Sequence, residues 1–119
     1  MRWMWRKRND DAAGMAAARE MFGGRGGRRI IAVAGLDYVR RVARYTGRNF
    51  VRLVAEPENH FDPNAIAVIS EDGHHLGYVP AHLTADVRQL VALPYDTEVY
   101  IEKDYDAEGR AYYSGQLLI

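Results

Sequence analysis

From Ile30 onward, short apolar stretches with strand character alternate with clusters of turn residues. IIAVAG, AIAVIS and HLGYVP are three such stretches, and TEVYIEKDYDAEGRAYYSGQLLI alternates as two strands around a turn at residues 106–109. β-branched and aromatic side chains favour strands, whereas glycine, proline, asparagine and aspartate favour the turns between them. The pattern therefore predicts a mainly β domain, a small and partly open barrel of about six strands.

Two further segments complete the predicted architecture. YVRRVARYTGRNFVRLVAEP indicates two strands joined at residues 46–47, where Thr-Gly gives a weak hairpin signal. After Pro80 the apolar spacing becomes helical, which predicts one short amphipathic helix that ends near residue 93. Its apolar stripe consists of Leu83, Val87, Leu90 and Val91.

Size and composition restrict the class of protein. A chain of 119 residues suits one domain and is too short for two ordinary cores. It has no cysteine, which excludes disulfides and thiolate metal sites. No apolar run approaches the roughly 18–20 residues that span a bilayer. We therefore expect a cytoplasmic protein without a membrane partner.

Residues 1–28 differ in composition from the rest of the chain. This difference predicts a basic, Gly/Arg-rich N-terminal tail at 1–28 and one domain at 29–119. An alanine-rich stretch with Asp10 or Asp11 as N-cap favours a short helix over 10–22. GGRGGRR follows it and is typical of a flexible joint. Trp3 and Trp5, beside four basic residues, either stack on bases, lie at a membrane interface or belong to a mobile tail.

The formal net charge is zero, but opposite charges are separated along the chain. Residues 1–29 hold eight basic and three acidic side chains, whereas residues 30–119 hold eight basic and thirteen acidic ones. A net acidic body argues against non-specific coating of DNA, because phosphate neutralisation needs surplus cations. Five arginines cluster at residues 40–52 and acids cluster at 96–108. The arginines therefore form either a positive face for a ligand or a solvated strand face that the acids balance.

The stretch LVAEPENHFDPNAIAV, followed by GYVP, carries the most functional information. Phe61 has no other apolar residue nearby, so it either anchors its loop in the core or stays exposed as a stacking platform. Gly77 next to Tyr78 allows close approach of another backbone or a ligand. Short polar side chains that can bond the loop backbone or a ligand are Asn59, Asp62 and Asn64.

These motifs resemble the HIRAN domain, a module of some DNA-repair helicases and of stand-alone bacterial and phage proteins. The resemblance covers about residues 30–92, and the last two strands more loosely. It rests on EP-x-N-x-(aromatic)-D-x-NA-(apolar)-x-V and the later GYVP. It implies an OB-like β-barrel that recognises the end of single-stranded DNA, notably a 3′ hydroxyl in the helicase-linked members.

The resemblance also implies a pocket for the DNA end. Its ring positions and loop carboxylate match Tyr38, Phe61, Tyr78 and Asp62. It expects arginine, a second tyrosine and lysine at the positions of Asp37, Val39 and Ala81, with His82 next to the last. Because two cations are absent, the resemblance implies the fold more strongly than the 3′-end specificity. Arg40, Arg41 and Arg44 are candidates to supply charge from a shifted position.

Two functions follow as expectations. The first is a nucleic-acid-binding module for single-stranded DNA or a DNA 3′ end, in repair or genome maintenance. The alternative is a protein-interaction module that docks a helicase or nuclease without direct recognition of a DNA end. The predicted nucleic-acid-binding residues are Tyr38, Arg40, Arg41, Arg44, Phe61, Asp62, Asn64, Tyr78 and His82.

Nothing in the sequence predicts catalysis, a metal or a cofactor. The chain lacks a GxxxxGK[ST] phosphate loop, and Ser70 and Ser114 have no nearby pattern of His and Asp. Its four histidines lack the spacing of a metal site. We therefore expect a non-catalytic protein, to which hydrolase or zinc-binding labels would attach only by family association.

Overall fold

The computed structural model describes residues 29–119, so the helix predicted at 10–22 lies outside the described residues. One antiparallel sheet holds all six strands, in the order β1-β6-β5-β2-β3-β4. The strands are β1 Ile30–Ala32, β2 Gly47–Ala55, β3 Ile66–Ser70, β4 His75–Tyr78, β5 Tyr95–Tyr105 and β6 Ala111–Leu118. The predicted mainly β architecture of six strands is confirmed.

The two edges of this sheet meet at the chain that follows β1. Val33 donates its backbone N–H to the Gly115 carbonyl in β6 (2.9 Å). One residue later, Ala34 and Tyr78 in β4 exchange two backbone hydrogen bonds of 2.8 and 2.9 Å. A Cβ at position 77 would lie 2.5 Å from the Ala34 carbonyl oxygen, so this approach requires Gly77. The sheet therefore curls into the expected OB-like barrel, and residues 33–34 form its seam.

The barrel interior is apolar because alternate strand residues point into it. A buried Leu, Ile or Val side chain contributes about 1.5–3 kcal/mol to stability, so this core supplies the main driving force for folding. Fully buried core residues on the strands include Leu53, Ile66, Leu76, Ile101 and Leu117. A short helix, α1 (Thr84–Leu90), adds Val87 to the same core.

The predicted helix is present, but it is shorter than predicted. α1 follows a 3-10 turn at Ala81–Leu83 and ends at Leu90, because Val91 is already extended (φ −139°). Val87 is buried, whereas Leu90 is 48% exposed, so the predicted apolar stripe is narrower than its spacing indicated. No helix within residues 29–119 is long and apolar enough to span a bilayer.

The prediction of two strands joined at residues 46–47 is wrong. Residues before Gly47 form two 3-10 helices, Leu36–Tyr38 and Val42–Tyr45, and only the second half of the stretch is a strand. Val42 and Tyr45 lie three positions apart, the repeat of one 3-10 turn, and both face the core. The apolar residues of this segment are therefore spaced for a tight turn, which their β-branched character concealed.

Candidate functional site

An open cavity of about 460 Å³ lies beside the seam of the barrel. The first 3-10 helix and the β3–β4 hairpin supply its walls. The lining side chains include Tyr38, Val39, Arg40, His74, His75 and Tyr78. The fold thus brings together three of the predicted site residues from two parts of the chain: Tyr38 and Arg40 from the segment after β1, and Tyr78 from β4.

Tyr38 is held outward by a turn whose other side chains are fixed. Leu36 is 3% exposed and packs in the core. The N–H groups of Tyr38 and Val39 donate to the carbonyls of Gly35 and Leu36 (both 3.1 Å). Asp37 accepts a hydrogen bond from the Tyr113 backbone N–H in β6 (3.0 Å). This arrangement leaves the Tyr38 ring 92% exposed at the rim of the cavity.

Tyr78 is half-buried and its hydroxyl is part of a hydrogen-bonded network. The hydroxyl donates to Glu56 Oε1 (2.9 Å), which also accepts from Asn59 Nδ2 (3.0 Å). The His75 ring lies 4.6 Å from the Tyr78 ring, centroid to centroid, and His75 Nε2 lies 3.7 Å from Glu56 Oε2. The network fixes the Tyr78 ring, so Tyr78 presents a preorganised surface.

The same network shifts the two acidic groups in opposite directions. The Asn59 amide, followed by the Tyr78 hydroxyl and His75, lowers the pKa of Glu56 below its ordinary value. Burial raises the pKa of Tyr78, and the adjacent Glu56 carboxylate raises it further. Glu56 is therefore ionised and Tyr78 neutral at physiological pH. In the sequence Glu56 appeared only as part of the EP-x-N string, where its spacing from Asn59 was visible.

The loop that carries Phe61 is shaped by its own polar side chains. Asn59 Oδ1 accepts the backbone N–H groups of Phe61 (2.9 Å) and Asp62 (3.0 Å). Asp62 Oδ1 accepts the N–H of Asn64 (2.9 Å), which is an Asx turn. Phe61 is 99% exposed, so of its two predicted roles the core anchor is wrong. The predicted turn-forming role of Asp62 is confirmed, and Asn64 is exposed.

Arg40, Arg41 and Arg44 are exposed, and no carboxylate among residues 29–119 forms an ion pair with them. Arg40 lines the cavity, and Arg44 lines a neighbouring hollow of about 370 Å³. Arg41 precedes the second 3-10 helix in the left-handed region (φ 59°), which is uncommon for a residue with a Cβ. Arg40 therefore lies at the cavity, and Arg41 and Arg44 follow it along the same exposed segment.

The two later arginines of the run have partners on β5. Arg48 pairs with Glu98, and Arg52 Nε lies 2.6 Å from Asp96 Oδ1. The interpretation of the run as a strand face balanced by acids is therefore right for these two arginines. It is wrong for the three arginines that precede β2.

The histidines are distributed around the site and do not form a metal centre. His74 Nε2 lies 3.9 Å from Asp72 Oδ2, and His82 is exposed in the turn Ala81–Leu83. No group of three or more metal-ligating side chains occurs within the described range, 29–119. His74 and His75 line the cavity, although neither was among the predicted site residues.

A curled, partly open antiparallel barrel with an aromatic cavity beside its seam is the architecture of an OB-like domain. The HIRAN domain model matches residues 27–116, so the chain belongs to the HIRAN family, whose domains are known as nucleic-acid-binding modules. The chain is also similar to the crystal structure of the HIRAN domain of human HLTF. That likeness has 21% identity, a TM-score of 0.41, and covers 77% of this chain and 74% of the other. No curated protein matches the chain.

Proposed function

We propose that this HIRAN domain binds single-stranded DNA, and in particular a DNA 3′ end, at the cavity between Tyr38 and Tyr78. The observation that carries the proposal is the exposed Tyr38 ring, 92% accessible at the rim of a cavity whose other ring is fixed. A ring that is open to solvent beside a cavity offers a face on which a nucleic-acid base can stack. Stacking of one base on such a ring contributes about 1–3 kcal/mol.

The arginines before β2 would provide the electrostatic part of the site. Arg40 is on the cavity wall, and Arg41 and Arg44 continue the same exposed segment. Guanidinium groups without a carboxylate partner can bind the phosphates of a nucleic-acid strand, and this binding weakens as the salt concentration rises. We therefore propose that these three residues contact the phosphates of bases that stack on Tyr38.

In this proposal, preference for a 3′ end requires a cation at the cavity, and that cation lies at a different position in the chain from the one that the resemblance expects. The resemblance expects an arginine at position 37, but Asp37 is engaged with the β6 backbone. Arg40 lies three residues later in the chain, beyond the end of the 3-10 helix, and lines the cavity wall. In this proposal Arg40 replaces the missing cation, Asp62 and Asn64 bond the terminal sugar or base, and Phe61 and His82 contact the flanking nucleotides.

We further propose that the chain acts by binding and not by catalysis. Ser114 is fully buried, and Ser70 is 6% exposed and engaged in the β3–β4 turn, where its hydroxyl contacts Asp72 and accepts the His74 N–H. A nucleophile must reach substrate with a base beside it. Ser114 has no access to substrate, and Ser70, although Asp72 and His74 lie beside it, is buried in the turn. This burial of both hydroxyls supports a binding role.

Fluorescence anisotropy tests the proposal on three DNA probes of one sequence: a linear strand with a 3′ hydroxyl, the same strand with a 3′ phosphate, and a closed circle. Tighter binding of the free hydroxyl supports end recognition through the cavity. Equal binding of all three supports a stacking groove without end specificity. Absence of binding to every probe at low salt contradicts the DNA proposal.

A second candidate function, docking of a protein partner, is favoured by the outer face of β2, β3 and β5. An open groove of about 720 Å³ there is lined by Phe50, Val54 and Ile69, and Phe50 is 60% exposed. Aromatic and aliphatic side chains in a groove are typical of protein interfaces. Substitution Phe50→Ala should abolish capture of a helicase or nuclease partner and leave DNA binding unchanged; the reverse result contradicts this candidate.

A further inference from the structure

Two neighbouring histidines of the β3–β4 hairpin line the cavity, and the proposed function gives them no role. His74 precedes β4, and His75 is the first residue of that strand. Their side chains are 62% and 37% exposed, so both are open to solvent. Imidazole is the side chain that ordinarily gains a charge between about pH 8 and about pH 5, a range in which tyrosine and arginine do not titrate. The charge of this wall therefore depends on the two histidines.

His75 lies beside a carboxylate that stays ionised. Its Nε2 atom is 3.7 Å from Glu56 Oε2, and the other carboxylate oxygen accepts the Tyr78 hydroxyl (2.9 Å). The groups that hold Glu56, with the Asn59 amide first among them, lower the pKa of its carboxyl below the ordinary value. Glu56 is therefore an anion throughout the range in which an imidazole gains its proton.

The same arrangement recurs at His74 with a second carboxylate and a second tyrosine. His74 Nε2 lies 3.9 Å from Asp72 Oδ2, which accepts the Tyr45 hydroxyl (3.0 Å). The Ser70 hydroxyl donates to Asp72 Oδ1. The Ser70 hydroxyl, followed by the Tyr45 hydroxyl and His74, lowers the pKa of Asp72. Each histidine of the wall is thus adjacent to its own anion, and a tyrosine hydroxyl holds each anion in place.

The charges around the cavity change sign with the state of the two histidines. Arg40 is the permanent cation among the residues that line the cavity, whereas Glu56 and Asp72 are the anions next to the histidines. With both imidazoles neutral, the two carboxylates outnumber Arg40 and repel a phosphate. With both imidazoles protonated, the carboxylates are balanced and Arg40 is in surplus. Further charged residues line the adjoining hollow with Asp72 and Tyr45, and their side-chain types do not ordinarily titrate in this range: Arg44, Arg48 and Glu71.

We infer that His74 and His75 are ligand-facing residues that make the binding of a DNA strand at this cavity depend on pH. Protonation of the pair changes the wall from one that repels phosphates to one that attracts them. The inference rests on the proposed function, because the phosphates that respond to the wall belong to the bound strand. The affinity should rise roughly tenfold between about pH 8 and about pH 5.5.

Fluorescence anisotropy with the full-length chain tests this pH dependence at constant ionic strength. The probe is an oligothymidylate with a 3′ hydroxyl, because thymine and phosphodiester groups do not titrate in the range of imidazole. The wild-type chain should bind it more tightly at the lower pH, by the factor given above. Binding of equal affinity at both pH values overturns this inference and leaves the proposed function intact. Absence of binding at both values overturns the proposed function and, with it, this inference.

Substitution of the two histidines locates the effect. The double variant His74→Gln, His75→Gln should lose most of the pH dependence. The control His60→Gln removes an exposed histidine that does not line the cavity, and should keep the pH dependence of the wild type. With circular dichroism intact in both variants, a pH dependence of the double variant equal to that of the wild type overturns the inference.

A variant that keeps both histidines tests the anions of the wall. Asp72→Asn should strengthen binding roughly threefold at about pH 8, because a charge that repels phosphate is removed. The matched control Asp86→Asn makes the same change of charge at an exposed site on α1, and should leave the affinity unaltered. Equal affinities of these two variants at that pH overturn the inference, and this comparison decides it even if the double histidine variant does not fold.

Discussion

The run of five arginines divides at Gly47 into two parts that the fold treats differently. Before Gly47, Arg40 and Arg41 lie in the turn between the two 3-10 helices and Arg44 lies on the second helix. These three arginines have no carboxylate partner in the described part of the chain. After Gly47, Arg52 lies directly opposite Asp96 in the β2–β5 register, and Arg48 reaches Glu98. Cross-strand pairing thus neutralises one part of the run, and leaves the other part positive on a protein of zero net charge.

The two regions also hold carboxylates in different surroundings, Asp96 on β5 and Glu56 beside the cavity. Asp96 has its pKa lowered mainly by its hydrogen bond to Arg52, and both groups are exposed. Glu56 has its pKa lowered by an amide, a hydroxyl and His75, and its side chain is only 30% exposed. Exposed ion pairs contribute little to stability, whereas a partly buried carboxylate with several donors contributes more. Of the two carboxylates, Glu56 on the cavity side is therefore the one that contributes more to stability.

The largest effect should come from removing the unpaired arginines. The triple variant Arg40→Ala, Arg41→Ala, Arg44→Ala should weaken single-stranded DNA binding roughly 30-fold or more, because three phosphate contacts are lost. Anisotropy titrations at several salt concentrations should also show the slope of log K against log salt falling by about 2.

The matched control is the double variant Arg48→Ala, Arg52→Ala. Because these guanidinium groups are held by β5 carboxylates, their removal should leave the salt slope unchanged. If both variants reduce the slope equally per arginine, the division of the run at Gly47 has no functional meaning.

The next effect concerns the exposed rings on the two sides. Tyr38→Ala should weaken DNA binding about 5- to 30-fold, which corresponds to the loss of one stacked base. Phe50→Ala removes a ring that is 60% exposed on the outer face, and should change affinity less than about twofold. Equal losses in the same titration would place the DNA on the outer face instead of at the cavity.

A smaller effect is expected on stability and on its pH dependence. Glu56→Gln should lower the free energy of unfolding by about 1 kcal/mol at neutral pH, because the charged acceptor of the Tyr78 hydroxyl is lost. The folded-state pKa of Glu56 lies below its ordinary value of 4.5, so the stabilisation is present above that value and is lost as pH falls through the folded pKa. Urea unfolding of both proteins at pH 7 and near pH 3 should show the difference shrink. A difference that is constant with pH would contradict the network.

The smallest effect should come from the exposed ion pair on β2 and β5. Asp96→Asn removes the partner of Arg52 at a site where both side chains are solvated, so the urea midpoint should not move measurably. The same variant should make Arg52 available to phosphates and steepen the salt dependence of DNA binding slightly. A clear loss of stability would mean that the Arg52–Asp96 pair stabilises the fold and does more than neutralise the charge of Arg52.

Much of the architecture could be predicted because its signals are local. The β5–β6 hairpin, the β3–β4 hairpin and the Asn59–Asp62 loop each depend on residues a few positions apart, such as the Asp106 carboxylate that accepts the N–H groups of Glu108 and Arg110. The segment before β2 could not be predicted correctly. Its 3-10 turns depend on Leu36, Val42 and Tyr45 all reaching one core, a contact between distant parts of the chain.

The sequence identified candidate site residues, but it did not predict their exposure or their contacts with one another. The sequence supplied Tyr38, Phe61 and Tyr78 as candidate rings, but it left open which of them are exposed. Only the tertiary structure places Glu56 under the Tyr78 hydroxyl and adds His75 to the same wall. Glu56 comes from the loop after β2, whereas His75 and Tyr78 come from β4, and the sheet brings these distant parts of the chain together.

The sequence by itself determined the strands, the turns, the polar loop and the family, because these follow from side-chain periodicity and short-range hydrogen bonds. The tertiary structure decided which arginines stay unpaired, which ring faces solvent and where the barrel closes. The physical reason is that charge pairing and burial depend on register. Arg52 meets Asp96 across 44 positions of chain, and Ala34 meets Tyr78 only because Gly77 lets two backbones approach.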